Sequence, residues 1–159
     1  MTDQSEALRK TMRQWTSGVC VVCSKNEAFV HGMTVNSFTS VSLDPPLITV
    51  TLSNQTRTCE LVLRTGSFSV SILKEDQKYI ADRFSGKDKE ENDRFAGLDT
   101  KTLPGGLPAI SNSLAVLETR VVNKVDFLHS TLFIAEVTFS DILSHNRPLV
   151  YHNREYYSL

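Results

Sequence analysis

The sequence is short of what several specialised classes of protein require. Its 159 residues hold 17 Lys and Arg against 18 Asp and Glu, a formal net charge of −1, with no basic block. That disfavours nucleic acid and anionic membrane as partners, since clustered cations grip both. No apolar run approaches the length of a membrane span or a signal-peptide core, so a cytoplasmic protein is expected. There are three cysteines, Cys20, Cys23 and Cys59. An odd number argues against a secreted disulfide framework. Asn54-Gln55-Thr56 fits the glycosylation pattern, which is empty without secretion.

Motifs of common chemistries are missing too. There is no G-x-G-x-x-G, and Gly105-Gly106 sits in a Pro-flanked loop that opens no helix. A Rossmann-type dinucleotide site is therefore not expected. No P-loop or nucleophile elbow occurs. His31, His129, His145 and His152 show no metal-site spacing and read as ordinary polar residues. No metal site is expected. Glu90 and Glu91 are paired carboxylates, but they fall in a charge run, Lys87 to Glu91, that reads as solvated loop.

What is present is a normal globular composition, about 40% apolar, and a length that fits one domain over residues 1–159. Leu8, Met12 and Trp15 recur at helical spacing, which predicts a helix over 4–15 whose Trp15 plugs a core. After Gly18 the period changes. The β-branched run Val19 to Ser24, a turn at Lys25-Asn26-Glu27 and the stretch Ala28 to Val35 read as a hairpin. Asp44-Pro45-Pro46 breaks the chain ahead of the alternating strand Leu47 to Leu52. Residues 56–65 form a helix stopped by Gly66. Phe68, Val70 and Ile72 then share one face of a half-buried strand. Glu75 to Phe84 is helical, with Tyr79, Ile80 and Phe84 as its apolar side. Residues 85–108 are a long excursion, of the kind that is often functional. Leu114 to Val125, Thr131 to Ile142 and Leu149 to Tyr157 complete a β-rich second half. Strands cluster instead of alternating with helices, so the expected fold is mainly β: a closed antiparallel barrel with two or three peripheral helices.

Two features bear on chemistry. Cys20 and Cys23 have C-x-x-C spacing, but side chains three apart in a strand point to opposite faces, so they read as strand residues. The segment from Gly32 to Leu47 packs short hydroxyl and amide side chains between two strands. Such groups both donate and accept, which suits a flat heterocycle with alternating donors and acceptors. They equally suit a Ser/Thr-rich connection bonded to its own backbone.

This segment resembles the signature of the flavin reductase-like family, whose fold is a split, Greek-key, FMN-binding β-barrel. The resemblance rests on Trp15 to Val19, Gly32-Met33-Thr34-Val35-Asn36-Ser37-Phe38, Val41 to Leu47, Thr56-Arg57-Thr58, Gly66 to Leu73, Ala81 to Ser85, Asp93-Arg94-Phe95, Phe133 to Val137 and Pro148 to Tyr151. It runs in order along nearly the whole chain. It implies that Thr34, Val35, Asn36 and Ser37 meet the polar edge of the flavin, and that Ser53, Asn54, Thr56, Arg57 and Thr58 surround its phosphate. Phe84 and Ser85 would close over the ring. The phosphate assignment is physically sound, because a helix N-terminus at Thr56 favours an anion.

The resemblance further implies hydride transfer from NADH or NADPH to FMN, with FAD compatible, no catalytic acid or base, and a homodimer. Reduced flavin or electrons would pass to an oxygenase or another acceptor. Relatives carry a Gly-Asp-His run before the penultimate strand, whose His is linked to nicotinamide. Here the stretch is Val125 to Thr131; it has no Gly, and His129 is one residue early relative to Glu136. One residue of slip reverses the facing side unless a bulge restores it. Two alternatives follow from that departure: a flavoredoxin-like FMN carrier without direct NAD(P)H oxidation, and a ligand-binding barrel without redox use.

Overall fold

The computed structural model describes residues 3–27, 29–86 and 93–159. Glu90, Glu91 and their charge run lie outside the described residues. The described residues form three helices and twelve strands. α1 (Asp3–Met12) leads to β1 (Ser17–Gly18), then to the hairpin of β2 (Cys20–Lys25) and β3 (Val30–Val35). β4 (Thr39–Leu43) and β5 (Pro46–Ser53) form a second pair. α2 (Arg57–Thr65), β6 (Ser67–Ile72), a 3-10 turn (Glu75–Gln77) and α3 (Lys78–Phe84) follow. The short pair β7 (Thr100–Thr102) and β8 (Pro108–Ile110) precedes the long hairpin of β9 (Ala115–Asp126) and β10 (Ser130–Ile142). β11 (Leu149–His152) and β12 (Glu155–Ser158) end the chain.

Seven strands make one antiparallel sheet in the order β3-β2-β6-β9-β10-β5-β4, and β1-β11-β12 make a second. No ladder joins β3 to β4, so the sheet is not closed by hydrogen bonds as the strand pattern predicts. It is strongly curled nonetheless. Val35 of β3, Val50 of β5 and Phe133 of β10 share one core with Cys59 and Val62 of α2. At the seam the Ser37 hydroxyl donates to the Thr51 carbonyl (2.9 Å) and accepts from the Thr51 N–H (3.1 Å), standing in for a strand pairing.

A second core, on the other face of β2, gathers Val19, Val21, Cys23, Leu73, Ile80 and Phe84. Cys20 therefore faces one core and Cys23 the other, as their spacing in a strand requires. Both faces of β6 are covered. Ser69 and Ser71, expected on a solvent face, are fully buried and bonded to the β8 segment: Ser69 donates to the Pro108 carbonyl and Ser71 accepts from the Ile110 N–H. Buried hydroxyls of this kind need such partners.

α2 runs as its caps dictate. The Thr56 side chain accepts from the Cys59 N–H, and Gly66 closes the helix at φ 67°. The N-terminal helix does not behave as expected. It stops at Met12, none of its residues is buried, and Trp15 is 67% exposed instead of plugging a core. Tyr79 likewise faces solvent. Helical spacing shows that a face is apolar; it does not show that this chain has a partner for it. No helix among the described residues is long and apolar enough to cross a membrane.

Candidate functional site

Two cavities adjoin along the open edge of the curled sheet, sharing Thr34 and Ser85. The smaller, about 260 Å³, lies between β3, the start of α2 and the end of α3. Its walls include His31, Gln55, Thr56, Arg57, Phe84, Ser85 and Arg94. It is electropositive by construction. Arg57 opens α2, whose first-turn N–H groups lack intrahelical partners. The Arg94 guanidinium is held at the wall by donating to the carbonyls of Gly32 (3.0 Å) and Phe84 (3.1 Å). No carboxylate lies among the described lining residues. Glu60, in the first turn of α2, is engaged by Arg64 at 2.6 Å.

Close packing shapes this wall. Gly32 is in contact with Phe84 and Cys23, so a Cβ there would stand 2.9 Å from each. The Phe84 ring is fully buried and meets Phe95 edge-on at 5.1 Å. Thr34 donates its hydroxyl to the Ala81 carbonyl (2.7 Å), tying β3 to α3.

The larger cavity, about 370 Å³, is walled by Val19, Thr34, Val35, Asn36 and Ser85 on one side and by Tyr151, Arg154 and Tyr156 on the other. The second wall comes from the β11–β12 hairpin, where Tyr151 and Tyr156 are cross-strand partners with ring centroids 5.4 Å apart. Together the cavities form a cleft with an anion pocket at one end and an aromatic, amide-bearing chamber at the other. A planar heterocycle with an anionic tail has this distribution of chemistry.

Of the residues singled out from the sequence, Thr34, Val35, Asn36, Thr56, Arg57, Phe84 and Ser85 come together on these walls. Ser37, Ser53, Asn54, Thr58 and His129 line neither cavity. Ser37 is engaged by Thr51 at the sheet seam. Ser53 accepts from Thr56 at its carbonyl (2.8 Å) and so sets the cap of α2. Asn54 donates to the Phe127 carbonyl (3.1 Å) and accepts from the Thr131 hydroxyl (2.8 Å). Thr58 is fully buried and shares a 2.8 Å hydrogen bond with Nδ1 of His31. His31, only 8% exposed, thus takes the place at the cavity wall that Thr58 was expected to hold.

His129 sits exposed in the β9–β10 turn. The hairpin does have bulges, at Val122 on β9 and at Thr138 on β10. The first faces Ile134 and Ala135 but puts its extra residue on β9, and β10 itself pairs with β5 in unbroken register from Ser130 to Glu136. The one-residue slip is not undone there.

Sequence reading missed His31, Gln55, Arg94, Tyr151, Arg154 and Tyr156 as cavity residues. Arg94 and Tyr151 were signalled locally, since Asp93-Arg94-Phe95 and Pro148 to Tyr151 both belong to stretches that match the family. Nothing local marked the rest.

A family model described as flavin reductase like domain matches residues 12–159. The chain is 37% identical to the NADH-dependent flavin reductase StyB of Pseudomonas fluorescens, over 91% of this chain and 82% of that one. It is 35% identical to the reductase component of an FADH2-dependent resorcinol hydroxylase of Rhizobium sp., over 93% of this chain and 83% of the other. Among solved structures, flavin reductase PheA2 in its native state superposes with a TM-score of 0.88 at 34% identity, covering 100% of this chain and 99% of that one.

Proposed function

Since the chain belongs to the flavin reductase-like family, we propose that it is an NAD(P)H-dependent FMN reductase that supplies reduced flavin to a partner flavin-dependent oxygenase. The observation that carries the reading is the junction at Thr34 and Ser85, where an anion pocket meets a chamber for a flat ring. The residues present fit FMN. Thr56, Arg57 and Arg94, with His31, hold the phosphate at the start of α2. Thr34 and Ser85 flank the ribityl chain. Val35 and Asn36 meet the ring, Asn36 offering an amide to its polar edge, while Phe84, fully buried, backs the wall of the anion pocket instead of closing over the ring. Ser37, Ser53, Asn54 and Thr58 act behind this surface, fixing the sheet seam, the cap of α2 and His31.

A bound flavin supplies the hydride acceptance from NADH or NADPH; no protein nucleophile is needed. The chain binds and orients, and its cations and amides offset negative charge that develops on the ring. FAD meets the same pocket with its inner phosphate. His129 lines neither cavity, so a nicotinamide contact from it would have to be made in a second copy. A homodimer is supported by the exposed apolar side chains of Leu8, Met12 and Trp15 and of the edge strand β4, where Leu43 is 90% exposed. We read the chain as one domain working in the cytoplasm, in keeping with three free, buried thiols, and its curled sheet as a split barrel whose seam Ser37 bridges.

The test is NADH and NADPH oxidation with and without added FMN or FAD, beside flavin binding by fluorescence quenching. Turnover that requires flavin is expected. Arg57→Gln should weaken FMN about tenfold while leaving riboflavin, which has no phosphate, unchanged. No oxidation of either nicotinamide with either flavin would end the proposal. Because His129 lies away from the cavity, tight FMN with slow NADH reaction would instead mark a carrier that takes electrons from a protein donor.

A further inference from the structure

The turn between β11 and β12 breaks a backbone rule. Asn153 and Arg154 both have positive φ, 47° and 70°. A two-residue hairpin turn of this kind selects Asn followed by Gly, because the second position strains any residue with a Cβ. Asn153 obeys that preference and Arg154 does not. Strain retained at one site in a rigid scaffold points toward function, and this scaffold is rigid. The Asn153 N–H donates to the Arg13 carbonyl (3.0 Å), and Thr16 Oγ1 and Nδ1 of His152 are 2.9 Å apart.

Arg154 is also the only charged residue among the described residues of the larger cavity. Its guanidinium makes no hydrogen bond or ion pair with the described residues. The adjacent carboxylate, Glu155, accepts from the Tyr157 hydroxyl at 2.9 Å. An exposed, uncompensated cation therefore stands at the rim of a chamber walled by Tyr151, Tyr156 and Asn36. The pocket proposed above for the flavin phosphate lies on the far side of Thr34 and Ser85. The charge at the rim faces whatever enters next from solvent.

We propose that Arg154 is a donor-binding residue, whose guanidinium grips the pyrophosphate of the nicotinamide dinucleotide as the nicotinamide ring enters the chamber beside Tyr151 and Tyr156. The proposal rests on the flavin reductase reading. The dihydronicotinamide ring is neutral, so the phosphates are the anionic part of the donor that an arginine fork can hold. Binding energy from such a remote group orients the ring without taking part in hydride transfer.

The experiment compares the unmodified protein with Arg154→Gly and Arg154→Lys. Gly relieves the strained turn, so Arg154→Gly should melt at an equal or higher temperature, and any loss of activity is not a loss of fold. KM for NADH should rise about tenfold in Arg154→Gly and less in Arg154→Lys, with kcat and FMN affinity unchanged. Reduction by N-benzyl dihydronicotinamide, a donor without phosphate, should proceed equally in all three. KM for NADH should climb with salt in the unmodified protein and stay flat in Arg154→Gly. A KM within twofold of the unmodified protein overturns the proposal. So does an equal loss with the phosphate-free donor, or weakened FMN, either of which assigns the charge to the flavin. If neither NADH nor NADPH reduces flavin in the unmodified protein, the underlying reading falls and the proposal with it.

Discussion

Replacing Gly32 by Ala should damage the fold and the anion pocket together. The added Cβ would lie 2.9 Å from the Cys23 sulfur, 2.9 Å from Phe84 Cε1 and 3.1 Å from Phe84 Cδ1. Neither neighbour is a flexible side-chain end. Cys23 and Phe84 are fully buried, and Phe95 backs the Phe84 ring. Overpacking of this kind costs about 1–3 kcal/mol, which for a chain of this size lowers Tm by roughly 2–10 °C. The damage reaches the site because Arg94 is anchored on the carbonyls of Gly32 and Phe84, both of which must shift. FMN affinity should fall several-fold while riboflavin affinity falls less. Thermal denaturation and flavin titration measure both. Cys23→Ala in the same background removes one of the two clashes, so the double variant should lose less stability than the sum of the single ones. A Tm within a degree of the unmodified protein and unchanged FMN binding, or strictly additive losses, would refute the packing argument.

Two more predictions come from buried groups outside the cleft. Glu118 is 4% exposed, and its carboxylate accepts from the N–H groups of Gly105 (2.6 Å) and Leu107 (3.1 Å), so it holds the Gly105-Gly106 loop. Glu118→Ala should cost about 2–4 kcal/mol in urea unfolding, and Glu118→Gln less, since the amide keeps one acceptor. Faster hydrogen exchange at Leu107 should accompany the loss, and a ΔΔG under about 0.5 kcal/mol would rule the role out. Burial pushes the thiols of Cys20 and Cys23 up to about 12. Neither should react with iodoacetamide at pH 8 until the protein unfolds. Because the folded state favours the neutral thiol, this contribution is intact below the ordinary value of 9.0 and is lost as pH rises from there toward 12. Tm should therefore drop more steeply above pH 9 in the unmodified protein than in the Cys20→Ala, Cys23→Ala double variant; parallel curves would count against it.

What the sequence determined by itself was what neighbours along the chain decide. Thr56 and Gly66 bracket α2 because capping is settled within four residues. Cys20 and Cys23 part to opposite cores because a strand has period two. Motif likeness along the chain gave the flavin reading, and seven of its residues meet at one cleft. Tertiary structure decided everything that depends on what lies across a gap. Trp15 has the right spacing for a core and no core to enter. Ser69 and Ser71 look solvent-facing until β8 covers them. Thr58 turns inward to His31, which moves to the wall in its place. Arg94 and Arg154 reach the cleft from segments far along the chain, and only the folding of a loop and of the last hairpin brings them there. Local rules act over one turn or one strand, whereas a binding site is assembled from contacts between segments whose separation in sequence carries no record of their distance in space.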